Sequence, residues 1–386
     1  MSDNNTITVV GGGLAGLTAA IACAEGGASV TLYEAHRTLG GRARSSAEPY
    51  VADDGPHALY AGASLRWLAE RGLAHPIVTP GVRELRRVRF RHADRVIGRP
   101  PLSLFRMIAR RGMTAPVDEA FGQWATRHFG AEAARAVGGL LGVVTFEADP
   151  GRLSAAFVWE RFRRVTALPP QARYVIGGWG RLIGRMAEHA RALGVRIETG
   201  SRVDRLPDGP VIVATSLDAA RVLLGDETLR WESGRAVLLD LGVRRERADL
   251  FLVSDLDEGG FLERCSLSDP TLAPPGESLV QSHMPMRAGE SKAQALDRLE
   301  RLADLGMPGW RERVTWRRDG VANRRTGALD LPGTTWRDRP AIDRGDGVWL
   351  AGDGVAAPGL LGEVAINSAV SAARAALSAR PRVRAA

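Results

Sequence analysis

Thr8-Val9-Val10-Gly11-Gly12-Gly13-Leu14-Ala15-Gly16-Leu17 is the stretch that decides the fold. It reads as a short buried strand, a glycine turn and the opening of a helix. Gly11, Gly13 and Gly16 supply G-x-G-x-x-G. The first glycine permits the tight turn, the second lets backbone approach a pyrophosphate, and the third lets helix pack on strand. Leu14 and Ala15 open the helix, whose N-terminus offers unpaired N–H groups and a positive dipole end to phosphate. The helix is expected over Leu14 to Glu25, ended by Gly26-Gly27. Ala28 to Tyr33 is then a second strand, which delivers Glu34 and Ala35. That is about the 20-residue spacing at which an acidic side chain meets adenosine ribose hydroxyls. The unit reads as a nucleotide-binding β-α-β. The alternative is a glycine-rich turn in an unrelated α/β protein.

The chain has 386 residues, enough for a large core and two domains. Its net charge of +8 is carried almost wholly by arginine, Lys292 being the one lysine. No aromatic-studded basic motif or zinc spacing accompanies that charge, so nucleic acid is not an expected partner, and no metal site is expected. Cys23 and Cys265 are isolated, which argues against a disulfide framework and for a reducing compartment. The start lacks a basic segment followed by an apolar core, so no signal peptide is read there. No apolar run reaches the roughly 18 residues of a membrane span. A cytoplasmic location is expected, with membrane association as an option considered below.

Gly40-Gly41-Arg42-Ala43-Arg44-Ser45 follows the β-α-β unit. With G-x-G-x-x-G and Glu34, this G-G-R-x-R-S resembles the amine oxidase and phytoene desaturase superfamily of FAD enzymes. The resemblance implies that Gly40, Gly41 and Arg42 lie against the FAD pyrophosphate and the flavin side. An arginine fork suits phosphate oxygens. Asp53-Asp54-Gly55-Pro56-His57 is similar to the D-x-G-x-H stretch of carotenoid desaturases and squalene-pathway flavoenzymes. It implies that Gly55, Pro56 and His57 sit near the flavin, where His57 either relays a proton or serves as a structural histidine.

From Pro76 to about Gln171 the nucleotide pattern disappears. Val88 and Phe90 alternate with Arg87, Arg89 and Arg91 as in a half-exposed strand, with a turn near Asp94-Arg95. The basic stretch reads as a solvated face or as a positive surface facing anionic lipid. Pro100 to Met113 mixes Leu102, Leu104, Phe105, Met107 and Ile108 with Arg106, Arg110 and Arg111. It is either a core-packing helix or an amphipathic element lying on a membrane. Further helices are expected over Val117–Phe129, Ala131–Val144 and Leu153–Arg164. Together they resemble the helical substrate-side insertion of the family.

Tyr174 to Leu182 restarts the α/β pattern, with a helix expected from Leu182 to Leu193. The resemblance places backbone near Val203 against the adenine and makes Val211 to Thr215 a second strand close to the cofactor. Arg235–Arg244, Leu250–Val253 and Ser278–Met284 suggest a substrate-side sheet. Ala293–Leu305 reads as a helix, and Trp310–Arg317 as a strand. Gly347 to Gly354 is a buried strand ending in Gly352-Asp353, and Pro358-Gly359-Leu360-Leu361-Gly362-Glu363 leads into a helix over Leu361–Leu377. In the family the matching aspartate bonds the flavin ribitol, and the helix aims its N-terminus at the flavin pyrimidine edge. Gly352, Asp353, Gly359, Leu360 and Leu361 are therefore expected cofactor contacts. A positive dipole there stabilises the anion that builds on reduced flavin. The tail from Arg380 to Ala386 is expected to be disordered.

The expected fold is α/β: a Rossmann-like FAD-binding domain with a discontinuous α+β substrate domain. The former takes residues 1–75, 172–235 and 325–386; the latter takes 76–171 and 236–324. FAD is expected to be non-covalent, because no cysteine stands near the last motif. A flavin supplies redox chemistry while the protein supplies position and electrostatics. Amine oxidases of this family commonly use a lysine near flavin N5 and an aromatic cage for the amine. Lys292 is the only lysine, and Ala357 to Leu361 lacks the aromatic positions. The carotenoid desaturase and squalene-pathway branch fits better, although the chain is short for a very long polyene. The leading reading is a dehydrogenase or desaturase passing hydride from a C–H of a largely apolar, isoprenoid or natural-product, substrate to N5. No second G-x-G-x-x-G is present, so a dedicated NAD(P)H domain is not indicated, and oxygen, a quinone or another acceptor is left to reoxidise the flavin. The other readings are a flavin amine oxidase, a non-oxidative flavin isomerase, or a catalytically silent FAD-binding partner of a biosynthetic complex.

Overall fold

The computed structural model describes residues 6–55 and 58–379. Pro56, His57 and the segment 380–386, on which expectations were placed above, lie outside the described residues.

A five-stranded parallel sheet combines β1 (Thr6–Val10), β2 (Ser29–Glu34), β8 (Arg196–Thr199), β9 (Val211–Val213) and β15 (Val348–Leu350) in the order β15-β9-β1-β2-β8. Both faces are covered, as parallel sheets require. Ile7, Val9, Val30, Leu32, Ile212 and Trp349 face one apolar layer; Val10, Val211, Val213 and Leu350 face the other. The first layer is built by α1 (Leu14–Glu25), α2 (Ala63–Glu70), α8 (Gly178–Ala192) and α11 (Gly362–Ser378). The second is built by α9 (Leu217–Leu224) and the chain after it. α1 and α11 lie close enough that a Cβ on Gly26 would stand 2.3 Å from Leu377 Cδ1. A small sheet, β3-β7-β4, joins Ala58–Tyr60 (β3), Ala172–Val175 (β7) and Ile77–Val78 (β4).

A seven-stranded sheet stands apart from this layer. Its order is β14-β10-β13-β12-β11-β5-β6, from Val314–Ala328 (β14), Ser233–Arg244 (β10), Glu277–Pro285 (β13), Phe261–Glu263 (β12), Leu252–Asp255 (β11), Val88–His92 (β5) and Arg95–Ile97 (β6). All its pairings are antiparallel except β5 with β11. Val237, Leu239, Leu241 and Val243 pack with Val280 and Met284 under α10 (Lys292–Gly306). Period-2 alternation therefore turns Leu238, Asp240, Gln281 and His283 to the opposite face. A helical layer holds α4 (Leu102–Ala109), α5 (Phe121–Phe129), α6 (Ala131–Thr145) and α7 (Ala155–Val165), while α3 (Val82–Leu85), with no buried residue, lies outside it before β5. Phe121, Trp124, Leu141, Trp159 and Phe162 dominate its core. The fold is thus α/β, with a Rossmann-like parallel sheet and a second, mostly antiparallel sheet.

Several expected elements are corrected. Trp310–Arg313 is a 3-10 turn, and the strand begins only at Val314. Trp310 is drawn into the core with its indole donating to Asp304 at 2.8 Å, and Arg313 folds onto buried Asp249 at 2.7 Å. α5 starts at Phe121 rather than Val117, because residues 116–120 serve as acceptors: Ser154 Oγ donates to Val117 O, and Ala155 N to Glu119 O. α8 starts earlier than expected, at Gly178, where Asp53 Oδ1 accepts from Trp179 N and Ser45 Oγ accepts from Gly180 N. β5 shows no alternation of burial, since both of its faces are half-covered.

Candidate functional site

The glycine turn forms as the sequence requires. Gly11 adopts φ +107°, and a Cβ there would meet Ala214 O at 2.7 Å. A Cβ on Gly16 would stand 1.7 Å from Gly11 O, so only glycine lets α1 seat against the turn. Gly40 and Gly41 also have positive φ and pass beside Gly13, with Gly40 N donating to Gly12 O.

Glu34 is 6% exposed at the end of β2. Its Oε2 accepts from Gly12 N at 2.7 Å, and its Oε1 accepts from His36 N at 2.8 Å and lies 2.7 Å from His36 Nδ1. Burial pushes the carboxyl upward, but the His36 and Gly12 backbone donors and the His36 ring outweigh it and hold the pKa below the usual carboxylate range. Glu34 thus ties strand to turn, a role its spacing alone did not reveal. About one acceptor position remains of the roughly four a carboxylate has.

Arg42 and Asp353 form a bidentate pair, 2.5 and 2.6 Å, across 311 positions of the chain. Asp353 is pushed upward by burial yet held below its ordinary value by the Arg42 guanidinium. The guanidinium is in turn raised, chiefly by the Asp353 charge. The two expected anion- and ribitol-binding side chains therefore meet at one point.

A cavity of about 1250 Å³ opens at the carboxyl ends of the parallel strands. All five strands feed it: Gly11 after β1, Glu34 and Ala35 at the end of β2, Val203 beyond β8, Ala214 and Thr215 after β9, and Gly352 and Asp353 after β15. The cavity is also lined by Gly13, Leu14 and Ala15 at the start of α1, by Gly40, Gly41, Arg42 and Gly55, and by Leu361 and Gly362 at the start of α11. Among the described residues, three expected contacts do not line it. Gly16 packs against Gly11, Leu360 is buried in the helical core, and Gly359 makes the turn in which a Cβ would stand 2.8 Å from Glu363 Cβ.

Sequence reasoning missed several lining residues. Trp179, Phe146, Leu238, Ala322 and Thr326 come from α8, the end of α6 and the seven-stranded sheet. Their signal is long-range: Leu238 and Ala322 are seen only through strand register. Glu363 was missed as well. Its Oε2 accepts from Leu360 N at 2.8 Å, and both its oxygens pair with Arg164 of α7 at 2.9 and 3.0 Å. It fixes the turn that carries Leu361, a non-glycine residue at φ 52°.

A dinucleotide fits this arrangement. The glycines leave a cradle, two helix N-termini face the cavity, and a cation and an acceptor stand within it. The volume exceeds the approximately 300–1,000 Å³ of ordinary small-ligand pockets.

Residues 9–70 match the family model of the NAD(P)-binding Rossmann-like domain. A comparison with curated proteins finds no relative. Among solved structures, an oxidoreductase from Methanosarcina mazei is similar over 96% of this chain and 100% of its own, with 16% identity and a TM-score of 0.76. Cyclohexylamine oxidase from Brevibacterium oxydans is similar over 97% and 99%, with 16% identity and a TM-score of 0.73. Putrescine oxidase bound to putrescine is similar over 97% and 98%, with 16% identity and a TM-score of 0.71. The chain shares the whole fold of these proteins.

Among the described residues, no cluster of three or more histidine, cysteine, aspartate and glutamate side chains could hold a metal. No helix among the described residues is long and apolar enough to cross a membrane.

Proposed function

We propose that the chain is an FAD-dependent oxidoreductase, a dehydrogenase or desaturase acting on a C–H bond of a largely apolar substrate. One observation carries the reading: the ends of all five parallel strands and the starts of α1 and α11 converge on one large cavity crossed by the Arg42–Asp353 pair. Gly11, Gly13, Leu14 and Ala15 would hold the pyrophosphate, Glu34 the ribose, Val203 the adenine, and Arg42, Asp353 and Leu361 the flavin half. The bound flavin supplies a hydride acceptor at N5. The protein's own part is to bind, orient and exclude water, and Phe146, Trp179, Leu238 and Ala322 give the cavity an apolar wall for that purpose. His57 is proposed to take the accompanying proton.

The position of Lys292 supports dehydrogenation over lysine-assisted amine oxidation. Lys292 is exposed at the start of α10 and pairs with Asp319 at 2.5 Å, and α10 covers the face of the large sheet away from the cavity. Amine oxidation remains the second reading, favoured by the aromatic faces of Phe146 and Trp179 in the cavity. The proposed division into domains passes through β10 and β14 near the paired residues Arg235 and Asn323.

Purified protein should be yellow and release intact FAD on acid precipitation, as non-covalent binding requires. Anaerobic mixing with a panel of isoprenoid and other apolar compounds should bleach the flavin absorbance; primary amines should not. Bleaching by amines alone would reverse the order of the two readings. Bleaching by dithionite but by no candidate would remove dehydrogenation from this set. His57→Ala should slow the bleaching about tenfold or more. Oxygen and a quinone are the acceptors to compare in steady-state turnover.

A further inference from the structure

Residues 82–111 contain ten arginines against two acidic residues, Glu84 and Asp94. That excess equals the +8 of the entire chain, so the rest of the sequence is electrically balanced. The same stretch holds five of the ten large apolar side chains exposed among the described residues: Val82, Leu85, Val96, Leu102 and Phe105. Leu102 is 76% exposed and Phe105 is 47% exposed.

The fold brings the β6 edge and α4 side by side, with α3 at the other end of β5. β6 is the free edge of the seven-stranded sheet, with Arg95 and Val96 exposed. α4 is pinned by Leu104 and Met107 in the helical core, which leaves Leu102, Phe105, Arg106 and Arg110 outward. Glu132 of α6 binds both parts: it accepts from Ser103 Oγ at 3.3 Å and lies 3.5 Å from His92 Nε2. The β5–β6 turn and the first turn of α4 therefore flank one carboxylate. Soluble surfaces carry single apolar side chains without consequence, but here they concentrate among arginines.

We propose that this strip docks the protein on an anionic lipid surface. Aliphatic and phenyl side chains enter the acyl boundary while arginines meet headgroup phosphates. Leu102, Val82, Leu85 and Val96 have no base-stacking use, which favours lipid over nucleic acid. A second copy of the same strip is repelled by like charge. The core that anchors α4 also contains Leu360 and packs Leu361, a cavity-lining residue, so the helical layer lies between the docked surface and the cavity. The docking is independent of the flavin reading, and its test reads lipid binding rather than turnover.

The test is co-sedimentation of the full chain with vesicles of phosphatidylcholine alone, or with about one-third phosphatidylglycerol. The expected result is about tenfold tighter binding to the anionic vesicles, lost in high salt. Leu102→Ser with Phe105→Ser should weaken binding about tenfold while its salt dependence persists. Arg106→Gln with Arg110→Gln and Arg111→Gln should abolish the preference for anionic lipid. Leu305→Ser, an exposed apolar change outside the strip, should bind as wild type, and matching melting temperatures exclude misfolding. Absence of wild-type binding to either vesicle would overturn the proposal. So would unchanged binding in both strip variants, or tighter binding to a nucleic acid duplex that ignores Leu102 and Phe105.

Discussion

Arg42 and Asp353 stand where a ligand's charge is expected, and each is the other's counterion until it arrives. Arg42→Ala should leave the Asp353 carboxylate without its bidentate partner. Expected outcomes are a loss of about 1–3 kcal/mol in denaturant unfolding and FAD retention weaker by an order of magnitude or more, read by fluorescence titration. Arg42→Lys should recover only part, because a point charge does not reproduce the fork. Two glycines give opposite expectations. Gly16→Ala drives a methyl into Gly11 O, and should cost about 3 kcal/mol and abolish retention of FAD. Gly184 in α8 has open space around its Cβ position and no positive φ. Gly184→Ala should therefore stabilise by about 1 kcal/mol, measured the same way. The glycine turn was legible in the sequence because its chemistry is local. The tie from Glu34 to Gly12 and the pairing of Arg42 with Asp353 were not, because both depend on which loops the sheet brings together.

At the scale of elements, α1, α6 and α10 begin and end close to where periodicity and glycine place them. Their signals lie within the helix or next to it; the Ser291–Gln294 capping box of α10 is an example. α8 was misplaced because its first N–H groups are satisfied by Ser45 and Asp53, more than a hundred positions away. The 3-10 turn at Trp310 was missed because Trp310, Val314 and Trp316 all fall at even positions, as on one face of a strand, while burial of the indole decides otherwise. The start of α11 depends on Glu363, which is 5% exposed and holds both the Leu360 N–H and Arg164. Glu363→Ala should cost about 3 kcal/mol by taking the carboxylate from Arg164, which keeps only Gln171 and the Ala61 carbonyl, and by leaving the turn unsupported. Chemical denaturation measures the cost, and FAD retention should fall with it. A variant as stable as wild type would show that the turn holds itself.

At the scale of the whole molecule, buried acids set a pH dependence. Burial pushes Glu263 from 4.5 to about 7, against a hydrogen bond from Tyr174. Burial also pushes Asp53 from 3.8 to about 7, against bonds from Ser45 and Trp179 N. Below the unfolded-state values both groups are protonated in either state. As pH rises toward 7, the unfolded chain releases these protons while the folded chain keeps them, so stability falls across that window and levels off above it. Glu34 and Asp353, held below their ordinary values, act in reverse and withdraw stability as pH falls through the acid range. The melting temperature should therefore be higher at pH 5 than at pH 8, and Glu263→Gln should shrink that drop by several degrees. An unchanged drop would take Glu263 out of the account.

The strand order β15-β9-β1-β2-β8 interleaves the two ends of the chain. During synthesis β1 finds β2 almost at once, but its other neighbour, β9, emerges far later, and β15 later still. Until residue 353 has left the ribosome, Arg42 has no Asp353, and the cavity has neither its last wall nor the second of its helix starts. The cavity is therefore closed late: until β15 and α11 dock, only the side built by β1, α1 and β2 can form.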